Sequence, residues 1–320
     1  MSFSSNVKNE LSRHYGSSRH CNIAEIAAIL NMCGQITEAP HGFMVKIQTE
    51  NVAVARKYFT LLKKTFNIDS DILIRRNSQL NKNRVYMLYL RDSRLAEKVL
   101  LATGLLQRDR AEAVIRNRIS SLVVSASCCK RAYIRGAFLA SGSVADPEKT
   151  YHLEFVTADA AYGRQLRDLI NSFDLDAKIV KRKEHYVVYL KEGDQIVNLL
   201  NIMEAHVALM ELENVRILKD MRNNVNRIVN CETANLNKTI SAAIQQLEDI
   251  QYLAEHNEIA KLPPALRSVA EARMEQPDAS LKELGESLNP PVGKSGVNHR
   301  LRKLSELADT LRTEKGEGLC

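Results

Sequence analysis

The stretch Gly136-Ala-Phe-Leu-Ala-Ser-Gly-Ser-Val144 decides the fold, because a related stretch occurs earlier in the same chain. Cys129–Val144 aligns with Cys21–Ile36 at an offset of 108 residues, and the likeness continues for about 85 residues. Each copy begins with an apolar helix that stops at a glycine, a residue that can take a positive φ. The repeat predicts a domain made of two similar halves.

Each half is predicted to contain a helix, a strand, a helix, a hairpin and a last helix, or a near variant of that order. Alternating apolar residues predict the first strand, around Val45 in one copy and Leu153 in the other. The next helix and the two hairpin strands are predicted at 50–66, 72–76 and 84–90, and in the second copy at 158–173, 178–183 and 185–190. The predicted fold class is α+β, with a pseudo-twofold duplicated domain.

Small residues recur one turn apart in the first helix of each half. They are Ala24 and Ala28 in the first copy and Ala132 and Gly136 in the second. Small side chains let two helices approach closely. We therefore expect these two helices to pack against each other along the pseudo-twofold axis.

Gly136–Val144 resembles the LAGLIDADG motif of homing endonucleases, whose paired motif helices form the domain interface. In that family, an acidic residue before the final glycine binds the divalent metal for DNA cleavage. The matching positions here are Cys33 and Ser141, and neither is the carboxylate that Mg²⁺ needs. We expect an endonuclease-like scaffold that is not an enzyme, with no catalytic residue, no metal and no cofactor.

The chain after Pro263-Pro264 has the pattern of a compact three-helix domain. A first helix is predicted at about 264–275, and Ser280-Leu-Lys-Glu283 is a capping box that opens a short second helix. After a turn at Asn289–Gly293, Ser295 is expected to cap a longer helix that extends to about residue 311. Two helices joined by a short Pro/Gly turn predict a helix-turn-helix domain.

The polar side of that last helix is a candidate surface for reading DNA. Ser295, Asn298, His299 and Arg302 recur at helical spacing, and no acidic residue lies between Lys294 and Leu304. Such helices read bases with their N-terminal part and hold phosphates with flanking cations. The alternative is an ordinary solvated basic face. The candidate DNA-binding residues are Lys294, Ser295, Asn298, His299, Arg300, Arg302 and Lys303.

An asparagine-rich stretch lies in the otherwise helical residues 206–260. Asn223, Arg227 and Asn230 would share one stripe of a helix. Asparagine is a weak helix former, so this composition needs an explanation. Two alternatives stay open: contact with nucleic acid through these side chains, or an interdomain hinge with asparagine caps.

The basic excess of the chain lies in its first half. The net charge is +7, while residues 56–118 carry fifteen Lys and Arg against six Asp and Glu. Such a stretch is typical of a phosphate-rich partner, although a solvated face has the same composition. Further candidate DNA contacts are Arg75, Arg76, Lys82, Arg84, Lys181, Arg182 and Lys183.

Composition excludes other classes of protein. No apolar run approaches the roughly 18 residues of a membrane span, and the N-terminus has no apolar signal region. The six cysteines form no C-x-x-C pair, which disfavours a zinc ribbon and fits a reducing compartment. We expect a cytoplasmic, nucleoid-associated protein with no membrane contact.

Four stretches together resemble the WhiA family of bacterial DNA-binding regulators. They are Met1-Ser-Phe-Ser-Ser-Asn-Val-Lys8, Arg135–Lys149, Val225–Asn235 and the helix-turn-helix at 279–312. The resemblance implies a degenerate LAGLIDADG domain fused to a helix-turn-helix domain. It also implies DNA binding, transcription regulation, and roles in cell division, chromosome segregation and, in some relatives, sporulation.

The leading hypothesis is a non-catalytic, sequence-specific regulator that binds double-stranded DNA and is expected to be a monomer. The alternatives are a division-related protein-interaction module on a dead endonuclease scaffold, and a residual metal-dependent endonuclease. A protein partner in division or transcription is a further expectation. The predicted division is a segment 1–20, a duplicated domain 21–205 with repeats at about 21–106 and 129–205, a helical linker 206–260, a helix-turn-helix domain 261–313 and a flexible tail 314–320.

Overall fold

The computed structural model describes residues 2–39, 42–76, 84–109 and 112–315. The contacts within the chain divide the protein into two compact units, Met1–Asp220 and Met221–Cys320. This division falls later in the chain than the boundary predicted after residue 205. None of the helices in the described ranges is long and apolar enough to cross a membrane.

Helices and short antiparallel strands alternate through the first unit, and helices form the second. The helices are α1 Phe3–Arg13, α2 Arg19–Cys33, α3 Val52–Phe66, α4 Ser93–Ala102, α5 Ser127–Ser141, α6 Ala160–Asn171, α7 Gly193–Met203, α8 His206–Glu255, α9 Pro264–Glu275, α10 Leu281–Ser287 and α11 Lys294–Glu314. The strands are β1 Gly34–Ala39, β2 Gly42–Thr49, β3 Asp71–Arg76, β4 Arg84–Leu90, β5 Leu106–Asp109, β6 Glu112–Ile115, β7 Gly142–Val144, β8 Leu153–Thr157, β9 Lys178–Arg182 and β10 His185–Leu190.

The two halves of the first unit have the same sheet. The strand orders are β1-β2-β4-β3 and β7-β8-β10-β9, with antiparallel neighbours throughout. The α+β fold class and the duplication are therefore confirmed. Each half has one more strand than the predicted order, because the chain pairs again directly after the first helix, Gly34 with Ile47 and Gly142 with Phe155.

The glycines that end the two helices do not use the positive φ that glycine allows. Gly34 has φ −79° and Gly142 has φ −71°, both in extended backbone. A Cβ at Gly34 would instead collide with the carbonyl oxygen of Leu30, and one at Gly142 with the ring of Phe138. Glycine is required here because the chain turns back closely over the last helical turn.

Helices α2 and α5 pack directly against each other, as the small residues predicted. Ala24, Ala28 and Ala132 are fully buried. A Cβ at Gly136 would lie 2.5 Å from the carbonyl oxygen of Glu25 and 3.0 Å from the Cβ of Ala28. The interface depends on backbone approach at this glycine.

The segment predicted as residues 1–20 contributes to the same core. Phe3, Val7 and Leu11 of α1 are buried and belong to one cluster with residues of α5. The hydroxyl of Ser2 caps α1 by accepting from the backbone N–H of Ser5. Helix α1 is thus a packed element of the duplicated domain.

A buried ion cluster lies where α1, α2, α3 and α5 meet. Lys57 Nζ lies 2.5 Å from Glu25 Oε1, and both side chains are fully buried. The same ammonium donates to the carbonyl oxygens of Leu11 (2.7 Å) and His14 (2.6 Å), while Arg135 Nε lies 3.4 Å from Glu25 Oε1. Burial lowers the pKa of Lys57, and the charge of Glu25 opposes that shift.

The second unit has its own apolar core under α9, α10 and α11. Val297, Leu301 and Leu304 of α11 pack in this core, with Ile250 and Leu253 of α8. The capping box of Ser280 and Glu283 forms as predicted. The cap expected at Ser295 is wrong: the cap residue is Gly293, so α11 begins at Lys294, two residues earlier than predicted.

The predicted domain limits are not settled by these elements and stay predictions. Helix α8 ends at Glu255, within the predicted linker 206–260. Helix α11 ends at Glu314. Most of the predicted flexible tail, residues 316–320, lies outside the described ranges.

Candidate nucleic-acid interface

The polar face of α11 is exposed because its apolar residues recur every three or four positions. Val297, Leu301, Leu304 and Ala308 are buried, so the side chains between them face solvent. Among the predicted DNA-binding residues, Arg300 is half-buried. The exposed ones are Lys294, Ser295, Asn298, His299, Arg302 and Lys303. The structure therefore brings the predicted residues onto one accessible helix.

An acidic residue beyond the predicted face contacts one of its members. Arg302 Nε lies 3.4 Å from Glu306 Oε1, one turn further along α11, and the side chains are 79% and 63% exposed. Exposed pairs of this kind contribute between about 0 and 1 kcal/mol. Arg302 is held only weakly and can exchange Glu306 for another partner. Sequence reasoning missed the pair because the acid-free stretch ends at Leu304.

The asparagine-rich stretch is part of continuous helix α8. Asn223, Arg227 and Asn230 are exposed, and none of them lies at a helix end. The interpretation of these asparagines as helix caps at a hinge is therefore wrong. Helical spacing places them opposite a stripe that includes Val225 and Leu236, which are 57% and 60% exposed.

The basic candidates of the first unit lie at matching hairpins of its two halves. Arg75 and Arg84 belong to β3 and β4, while Lys181 and Arg182 belong to β9, and all four are exposed. Lys183 is exposed in the turn between β9 and β10, with φ 52°. Arg182 is partly neutralised, because its NH1 lies 3.3 Å from Glu154 Oε2. The side chain of Arg76 and the whole of Lys82 lie outside the described part of the chain.

The two positions that match the endonuclease acids hold neutral groups at the ends of α2 and α5. The Cys33 thiol donates to the carbonyl oxygen of Ile29 at 3.2 Å, and burial raises its pKa to about 12. Burial also lowers the pKa of the nearby Lys8 ammonium. The Ser141 hydroxyl is buried at the last position of α5. Neither side chain offers the charged oxygen ligand of a Mg²⁺ site.

A cluster of metal-binding residue types lies at the other end of the same helices. His20, Cys21, Cys128 and Cys129 place their ligand atoms within 4.8 Å of one another. Sequence reasoning missed it, because the two pairs are separated by more than a hundred residues. A signal was nevertheless present, since the two pairs occupy equivalent positions of the repeat.

Two LAGLIDADG-like halves followed by a helix-turn-helix domain define the class of protein. Residues 19–106 match the family model described as the WhiA N-terminal LAGLIDADG-like domain, and residues 130–222 match the WhiA LAGLIDADG-like domain. Residues 225–308 match the WhiA C-terminal HTH domain. The chain belongs to the WhiA family.

Relatives match over nearly the whole length. A protein of Alkaliphilus metalliredigens named probable cell division protein WhiA is 55% identical, over 98% of this chain and 99% of that protein. A protein of the same name from Alkaliphilus oremlandii is 53% identical, over 98% and 99%. The crystal structure of full-length DUF199/WhiA from Thermatoga maritima has the same fold, with a TM-score of 0.61 at 21% identity over 97% of this chain and 99% of that chain.

Proposed function

We propose that this protein is a sequence-specific regulator that binds double-stranded DNA through α11, does not cleave the DNA, and acts in cell division. The observation that carries the proposal is the exposed polar face of α11, within residues that match a helix-turn-helix family model. The role in cell division comes from the printed names of the relatives. Roles in chromosome segregation and sporulation, and association with the nucleoid, stay expectations from the family.

The face of α11 divides into base-reading and phosphate-binding side chains. The Asn298 amide has the donor and acceptor that pair with an adenine edge in the major groove. The Arg302 guanidinium has the two donors that pair with a guanine edge. Lys294, Arg300 and Lys303 carry the charge that holds phosphates and fixes the register. Ser295 and His299 supply further donors between them. This division is what the N-terminal half of a recognition helix needs.

We propose that the duplicated domain binds the DNA backbone and does not act as an enzyme. Cys33 and Ser141 are neutral, which supports the absence of metal-dependent cleavage. The exposed basic hairpins, with Arg75 and Arg84 in one half and Lys181 in the other, support a backbone contact. On the face of α8, Asn223, Arg227 and Asn230 are candidates for additional contacts.

One observation favours a second role for the same domain as a protein-interaction surface. Ile72, Leu73 and Ile74 of edge strand β3 are each more than half exposed. Three consecutive exposed apolar residues suit a protein partner better than a polyanion. A partner in division or transcription would add to DNA binding rather than replace it.

The direct test is selection of DNA by the full chain from a pool of random duplexes, with Mg²⁺ present. The proposal predicts enrichment of one motif and binding that weakens as salt rises. Uniform recovery of the pool, with no motif after repeated rounds, would show that the chain does not read sequence.

A further inference from the structure

The cluster of His20, Cys21, Cys128 and Cys129 lies at the starts of the two helices that form the interface. His20 and Cys21 are the second and third residues of α2, and Cys128 and Cys129 are the second and third residues of α5. The repeat aligns Cys21 with Cys129 and His20 with Cys128. The pseudo-twofold relation of the two halves therefore brings the two pairs together.

The ligand atoms are close enough to share one ion. His20 Nδ1 lies 3.1 Å from Cys129 Sγ and 3.4 Å from Cys21 Sγ, and all four ligand atoms lie within 4.8 Å of one another. Tetrahedral zinc has bonds of about 2.3 Å to sulfur and about 2.0–2.1 Å to nitrogen, which places ligand atoms roughly 3.4–3.8 Å apart. Movements of a few tenths of an ångström to about 1 Å convert the cluster into that geometry.

The helix starts favour the thiolate form that a metal needs. Neither Ser18 before α2 nor Ala126 before α5 makes a side-chain cap, so the first N–H groups of each helix have no such acceptor. Helix N-termini stabilise thiolates. A bound cation supplies the positive charge that lets three adjacent thiols ionise together.

Burial divides the cluster into an inner and an outer side. Cys21 and Cys129 are 8% and 3% exposed, while His20 and Cys128 are exposed. An ion can therefore enter from solvent between the outer pair and be held by the inner pair. Among the described residues, this is the one group of three or more His, Cys, Asp and Glu side chains close enough to bind a metal.

We propose that His20, Cys21, Cys128 and Cys129 bind one Zn²⁺ as a closed, four-coordinate structural site. One histidine and three cysteines are an established ligand set for structural zinc. The ion would join the start of α2 to the start of α5, at the end of the interface opposite Cys33 and Ser141. The argument against a zinc ribbon, drawn from the lack of a C-x-x-C pair, considered spacing within one segment only.

The test measures zinc in the full chain purified under reducing conditions from zinc-supplemented cells. We expect one Zn²⁺ per chain, and cobalt substitution should give the visible bands of tetrahedral thiolate coordination. Cys128→Ser and His20→Gln change exposed side chains and should weaken zinc binding at least about tenfold in a chelator competition. Cys231→Ser changes an exposed cysteine of α8 outside the cluster, so it is the matched control and should bind zinc as the unaltered chain does.

Two results would overturn the proposal. One is a folded, reduced chain that binds no zinc in competition with a weak chelator. The other is zinc or cobalt binding that survives unchanged in both Cys128→Ser and His20→Gln, since the ion would then lie elsewhere. A circular dichroism spectrum of each variant confirms that it is folded, and the cobalt spectrum reports the ligand set independently of DNA binding.

Discussion

At the scale of single residues, the proposed base recognition depends most on Arg302. Arg302→Ala should weaken binding to the selected motif by about 1–3 kcal/mol and relax specificity at one base pair, because a bidentate contact to guanine is lost. Titration of the full chain with motif and random duplexes measures both effects. Lys261→Ala removes an equal charge from a side chain 68% exposed on the same unit, and it should change neither.

An equal loss on motif and random DNA would contradict the role given to Arg302 and make it a phosphate contact. The weak pair with Glu306 leaves Arg302 available for DNA, because little free energy holds the side chain in place.

Lys57 is expected to contribute to stability at the residue scale, because it pairs with Glu25 where both side chains are fully buried. Lys57→Met should lower the free energy of unfolding by about 3–5 kcal/mol, because the Glu25 carboxylate stays buried without its ammonium partner. Urea denaturation followed by circular dichroism measures the change. Lys261→Met breaks the partly exposed pair with Glu258 and should lower the free energy of unfolding by less than about 1 kcal/mol. A Lys57→Met chain as stable as the unaltered one would refute the account of this cluster.

At the scale of elements, the α2–α5 interface depends on the absence of a side chain at Gly136. Gly136→Ala should destabilise the first unit by about 1–3 kcal/mol, because its Cβ would lie 2.5 Å from the Glu25 carbonyl oxygen. Gly16→Ala is the control, since its Cβ would meet its nearest neighbour at 3.4 Å, an ordinary contact. Thermal unfolding of both variants measures the difference. Equal unfolding midpoints for the two variants would show that α2 and α5 can move apart for the added Cβ without loss of stability.

Helix α11 also predicts the salt dependence of binding. If it makes about four phosphate contacts, log K should fall with log salt at a slope near −3.6. Lys303→Ala should reduce that slope by about 0.9 and weaken motif and random DNA equally. Binding titrations at several salt concentrations measure the slope. A slope unchanged by Lys303→Ala would remove this residue from the DNA contact.

The elements also show what sequence could and could not predict. The offset of 108 residues predicted the two halves with their hairpins. The small residues of the first helices predicted that these two helices pack together. Both signals lie in local sequence, so they can be recognised without the structure. Strands β1 and β7 were missed, since each is defined by pairing with the next strand. The cluster of His20, Cys21, Cys128 and Cys129 was missed for a related reason: Cys21 and Cys129 become neighbours only when α2 packs on α5.

At the scale of the whole molecule, a LAGLIDADG-like domain is joined to a helix-turn-helix domain. Supercoiled plasmid incubated with the full chain and Mg²⁺ or Mn²⁺ should stay intact, because Cys33 and Ser141 cannot replace a pair of carboxylates. Agarose gels of the plasmid over time measure this. Nicked or linear product that disappears in Ser141→Ala would show that the scaffold still cuts DNA.

The measurement that most directly tests the central claim compares which DNA two variants of the full chain select. One variant removes Asn298 and Arg302 from α11, and the other removes Arg75, Arg84 and Lys181 from the hairpins, each by substitution with alanine. The hairpin variant should recover the same motif with weaker binding, whereas the α11 variant should lose the motif. If the α11 variant keeps the motif and the hairpin variant loses it, the duplicated domain reads the sequence and the account is wrong.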